Sequence, residues 1–74
     1  MKNKLDLHGV RHHEVSRQVD KFIGDHLQRG SNEVEIIIGH SDKMQSLVDE
    51  TLKDYDLYSK KHFLTNTILI VSLV

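Results

Sequence analysis

Seventy-four residues with no cysteine carry ten Lys/Arg against eleven Asp/Glu, a net charge of −1 with the histidines neutral. That balance excludes a bulk basic field for nucleic acid, disulfide staples and thiolate metal sites, so any nucleic-acid contact must rest on local placement of charge. A chain this short reads as one domain, residues 1–74, burying only roughly 60–65 % of its unfolded surface, so marginal stability or self-association is expected.

The first pattern in the chain is Leu5-Asp6-Leu7-His8-Gly9, which alternates apolar and polar and stops at glycine, as a short half-buried strand does on entering a turn. Leu5 and Leu7 then face a core, with Asp6 and His8 on the opposite face at the carboxyl end of the strand. Next, Val15, Val19, Phe22, Ile23 and His26 or Leu27 fall on one helical stripe. His12 and His13 stand where a capping Ser, Thr, Asp or Asn is usual, so the helix start is weakly specified; Gly30 suits a left-handed carboxyl cap. Glu33 to Gly39 predicts a second strand, with Val34, Ile36 and Ile38 on one face. Strand, helix and strand make a right-handed βαβ unit with parallel strands, and Gly9 and Gly39 then open loops on the same edge.

Ser41 caps a second predicted helix, in which Met44, Leu47, Val48, Thr51, Leu52 and Tyr55 repeat at helical spacing. Leu57 to Phe63, interrupted by Lys60 and Lys61, suits an edge strand kept from pairing by its charges. Leu64 to Asn66 makes a turn, and Thr67 to Val74, apolar on both faces, suits a central strand. The fold class is therefore α/β in the order βαβαββ, four strands of a mixed sheet covered by two helices. Ile37, Ile68 and Ile70 would lie on the open face, an apolar patch that favours a weak homodimer or another partner.

Charge and histidine are unevenly spread. Residues 1–30 hold six Lys/Arg, four Asp/Glu and four of the six histidines, residues 31–62 hold four Lys/Arg against seven Asp/Glu, and residues 63–74 hold no charge. His8 can act as general acid or base near neutral pH with Asp6 orienting it, and His40, at the neighbouring strand end, can supply the second group. The bland alternative is that Asp6 and His8 only hydrogen-bond the turn that follows. His8, His12, His13 and His40 match no zinc spacing, and a single carboxylate nearby holds paired magnesium poorly. Arg11, Lys2, Lys4 and Lys43 can steer a phosphate backbone. The chain lacks a signal-peptide run or an apolar segment of roughly 18–20 residues, so no membrane partner and a cytoplasmic location are expected.

The pentapeptide Leu5-Asp6-Leu7-His8-Gly9, followed by a helix and a second strand ending in Ile36-Ile37-Ile38-Gly39, resembles the small MutS-related (Smr) domain over almost the whole chain. The second motif departs from the family pattern: Smr domains show His-Gly-x-Gly-Thr or His-Gly-Gly, whereas this chain has Ile38-Gly39-His40-Ser41-Asp42-Lys43. The resemblance implies an α+β two-layer sandwich like the carboxyl-terminal domain of bacterial initiation factor three, a four-stranded mixed sheet with two helices on one face and the last strand inside it. It also implies nucleic-acid binding, of RNA or DNA, and in many members endonuclease activity. By position Asp6 and His8 match the family's catalytic pair and Gly39 the first glycine of its second motif; His40 is the further catalytic candidate, and Gly9, Arg11, Gly39, Ser41 and Lys43 are the candidate nucleic-acid contacts. Asp42 brings a carboxylate to the helix amino terminus and weakens phosphate binding there, and Lys43 partly offsets it. No cofactor is expected beyond at most a weakly held divalent metal, and RNA is the favoured substrate because its 2′-hydroxyl supplies an internal nucleophile. The alternative is a catalytically silent interaction module that keeps the fold.

Overall fold

A computed structural model describes residues 3–62 and 64–74. Its elements run β1 (Lys4–Asp6), α1 (His12–Arg29), β2 (Glu33–Ile37), α2 (Asp42–Lys53), β3 (Ser59–Lys61) and β4 (Ile68–Ser72), with sheet order β1-β2-β4-β3. β1 pairs parallel with β2, whereas β4 pairs antiparallel with both β2 and β3. The apolar final strand is internal and the lysine-bearing strand forms an edge, as the hydrophobic pattern predicts. The two helices and four-stranded mixed sheet make this an α+β fold.

Alternation along the strands fixes the two faces. Leu7, Val34, Ile36, Ile38, Leu69 and Val71 are buried in one cluster with Val15, Val19 and Ile23 of α1 and Met44, Val48 and Leu52 of α2. Each fully buried aliphatic side chain contributes ~1.5–3 kcal/mol, more than the ~1 kcal/mol of a typical helix cap. This explains how α1 holds although its amino-terminal residue, Arg11, makes no side-chain capping bond. Gly30 closes the same helix in the left-handed conformation, with φ 74°. Ser41 caps α2 by accepting a hydrogen bond from the Met44 N–H at 3.0 Å.

Three details differ from the sequence pattern. β1 ends at Asp6 instead of continuing through His8, because the Asp6 carboxylate accepts the His8 backbone N–H at 2.9 Å and draws the chain into a turn. β2 ends at Ile37, yet Ile38 still donates its N–H to the Thr67 carbonyl at 2.8 Å, which ties the end of β2 to the loop before β4. On α1 the buried position is His26, whose Nδ1 lies 2.8 Å from the Ser31 Oγ, while Leu27 is 41 % exposed. The β3–β4 turn was expected over Leu64 to Asn66; Phe63, placed by the sequence pattern at the end of β3, lies outside the described residues.

Tyr55 follows α2 and hydrogen-bonds Asp20 of α1 through its hydroxyl, tying the two helices. That hydrogen bond, then burial, then the charges of Asp20 and Asp54 raise the phenol above its ordinary pKa of 10.0. The folded state therefore holds the phenolic proton more tightly than the unfolded chain does. The resulting stabilisation is complete below about pH 10 and is lost as pH rises through the raised folded value. In urea melts, Tyr55→Phe is expected to cost no more than about 1 kcal/mol at pH 7 and to abolish this alkaline decline.

At the centre of the sheet, Leu69→Ala is expected to lower stability by about 2–5 kcal/mol. Val71 is fully buried on the same strand, whereas Lys60 sits exposed on the edge, so Lys60→Ala should stay within about 0.5 kcal/mol of the parent. Urea unfolding followed by circular dichroism measures both.

Candidate nucleic-acid interface

The parallel pairing of β1 with β2 brings the two glycine-ended loops to one edge of the sheet. Gly9 has φ 83° and Gly39 φ 69°, both in the left-handed region that side chains disfavour, so each strand can turn sharply as it leaves the sheet. A Cβ on Gly39 would stand 3.5 Å from the His8 Cδ2, so the imidazole edge of the first loop lies beside the backbone of the second. His8 is exposed. Among the described residues its ring has no hydrogen-bond partner, and the Asp6 carboxylate is spent on the His8 backbone N–H. In this geometry Asp6 shapes the turn that presents the imidazole.

Gly39 also lines a cleft of about 170 Å³. His40, Ser41, Asp42 and Gln45 line it from the start of α2, and Lys61 of β3 and Asn66 of the β3–β4 loop line it from across the sheet edge. The loop wall is held in place by the Thr67 carbonyl, which accepts the N–H groups of both Ile38 and Gly39, at 2.8 and 3.3 Å. Of the residues expected from sequence, Gly39, His40 and Ser41 meet in this cleft with His8 beside it. Arg11 is exposed at the start of α1 and Lys43 is exposed without lining the cleft. His12 and His13 open α1 on its exposed surface. Among the described residues, no three His, Asp or Glu side chains are grouped to hold a metal ion.

Lys61, Gln45 and Asn66 were not expected at the site. The sequence signal for Lys61 was its place next to Lys60: adjacent strand residues point to opposite faces. Lys60 pairs with Ile70 and Lys61 with the fully buried Leu69, so only Lys61 stands on the helix side, above the start of α2. Reading that signal requires knowing that β3 is the neighbour of β4.

The structure thus presents a histidine and two left-handed glycines at one edge of an α+β domain built on a βαβ unit. The Smr domain family model matches residues 5–65 of the 74, and the chain belongs to the Smr domain family, which is associated with nucleic-acid binding and endonuclease activity. No curated protein and no solved structure matches the chain. Among the described residues, no helix is long and apolar enough to cross a membrane.

Gly39 and Gly24 separate strain from space. At Gly39 the Cβ has room but φ is 69°, so Gly39→Ala is expected to cost about 1–2 kcal/mol. At Gly24, within α1, the nearest atom to a new Cβ is the Tyr55 hydroxyl at 3.9 Å. Gly24→Ala should therefore raise stability by about 0.5–1 kcal/mol. Thermal melts of the two variants beside the parent check the pair.

Proposed function

We propose that this chain binds RNA at the edge formed by the Gly9 and Gly39 loops and cuts it with His8 as the general base or acid. The supporting observation is the placement of the exposed His8 ring against Gly39, a residue that itself lines a polar cleft with His40 and Lys61. RNA cleavage needs a base to deprotonate the 2′-hydroxyl, an acid to protonate the leaving oxygen, and positive charge near the phosphate. His8 and His40 are the imidazoles this reading assigns to those roles, and Lys61 is the nearby charge. Asp6 acts on this reading as a positioning residue, fixing the turn through the His8 backbone, with Gly9 allowing the tight exit. Arg11, Lys43 and Lys4 supply peripheral phosphate attraction. No cofactor enters the mechanism, and the reading places the chain in an aqueous compartment.

One observation favours a second reading. The Asp6 carboxylate holds the His8 backbone and not its ring, so the first motif is also satisfied by a purely structural turn. On that reading the chain is a silent interaction module, and the isoleucine-bearing open sheet face is its contact surface.

Labelled single-stranded RNA distinguishes the two. His8→Ala is expected to lower cleavage by about 10²–10⁴-fold with binding nearly intact, and a chelator should have little effect. RNA bound but never cut by the parent chain would establish the silent module, and cleavage unchanged by His8→Ala would place the chemistry elsewhere.

A further inference from the structure

The cleft beside Gly39 holds charges of both signs that do not meet. Lys61 and Asp42 both line it, yet among the described residues neither side chain makes an ion pair or a hydrogen bond. Each therefore retains its hydrogen-bonding capacity for a ligand. Gln45 and Asn66 add neutral amides between them. At about 170 Å³ the space is well below the ~300 Å³ at which small-molecule pockets begin, so it suits one segment of a polymer better than a whole metabolite.

A carboxylate accepts hydrogen bonds and cannot donate them. The sugar-phosphate backbone of DNA offers only acceptors, so against DNA the Asp42 charge is purely a penalty. The backbone of RNA adds one donor per nucleotide, the 2′-hydroxyl, which is the group by which a protein distinguishes RNA from DNA. From this we infer that the cleft is a ribonucleotide subsite that selects RNA over DNA, with Lys61 binding the phosphate and Asp42 accepting the 2′-hydroxyl. The inference rests on the RNA-binding reading above and adds its specificity device. The Asp that departs from the family's glycine pattern then has a function of its own.

Uridine lacks an exocyclic amine, so oligouridylate and oligodeoxyuridylate of equal length offer the same base donors and differ at the 2′ position. Their binding is measured by fluorescence anisotropy in a His8→Ala background, so that no strand is cut. RNA should bind roughly tenfold more tightly than DNA, the scale of one charge-assisted hydrogen bond. Adding Asp42→Ala should bring the ratio to about one by weakening RNA binding and strengthening DNA binding. Adding Asp42→Asn, which keeps an acceptor without the charge, should retain part of the preference; it also serves if the alanine variant fails to fold. Lys61→Ala should weaken both polymers equally and lower the salt slope by about 0.7, whereas Lys60→Ala, on the opposite face, should change neither.

Equal affinity for the two polymers, a preference undiminished by Asp42→Ala, or a Lys61 variant indistinguishable from the Lys60 variant would each overturn the inference and leave RNA binding standing. Binding of neither polymer at low salt would overturn both the inference and the reading beneath it.

Discussion

The antiparallel seam between β2 and β4 is the constraint on which the rest of the structure depends. Val34 pairs with Val71 and Ile36 with Leu69, and all four side chains are fully removed from water on the helix side. A strand apolar on both faces can satisfy its backbone and its side chains only inside a sheet. Placing β4 there forces β1 to the far side of β2 and leaves β3 as the other edge. The crossover from β1 to β2 then brings both glycine-ended loops to one edge, and the insertion of β4 brings Lys61 and Asn66 to the same edge. Burial at the centre thus sets the membership of the cleft at the rim.

The chemistry at that rim combines residues held in different ways. His8 is presented by a turn that the Asp6 carboxylate closes on its backbone. Gly39 lies beside the imidazole, and the Thr67 carbonyl accepts its N–H and that of Ile38. Ser41 has its hydroxyl committed to the Met44 N–H, which fixes the start of α2 but removes that group from direct ligand contact. Among the described residues, the His8 ring, His40, Asp42 and Lys61 at this edge have no side-chain hydrogen-bond partner. They can act as acid or base, acceptor and cation, the set that recognition of a hydroxyl-bearing phosphodiester requires.

The open side of the sheet has a different character. Lys4, Glu35, Ile70 and Lys60 form one cross-strand row, with Asp6, Ile37 and Ile68 in the next. The isoleucines are half-buried by these neighbours, which limits the apolar area offered to any partner. Asp6 belongs to this face while Lys61 belongs to the other, so the candidate site spans the sheet edge.

Much of this was legible in the residues themselves. Strand and helix periods, the glycine stops after the first two strands, the Ser41 cap and the Gly30 terminus are local properties, and each led to the observed element because side-chain period and backbone preference act within a few residues. The Leu5-Asp6-Leu7-His8-Gly9 motif put the candidate site at the first strand end for the same reason. The Asp6 contact, the burial of His26 in place of Leu27 and the assignment of Lys61 to the cleft were not legible. Asp6 could reach either the ring or the backbone of His8, and the choice depends on where the turn sends the chain. His26 and Leu27 are neighbours on the helix, and only the packing against Phe22 and Ser31 decides between them. Lys61 lies 22 residues after Gly39 in the sequence, and the two line one cleft only because β4 inserts between β2 and β3. The sequence by itself determined the elements, the core stripe and the histidine at the strand end. The tertiary structure alone decided which distant side chains share the cleft, because strand order depends on burial summed over the whole sheet and no local pattern encodes it.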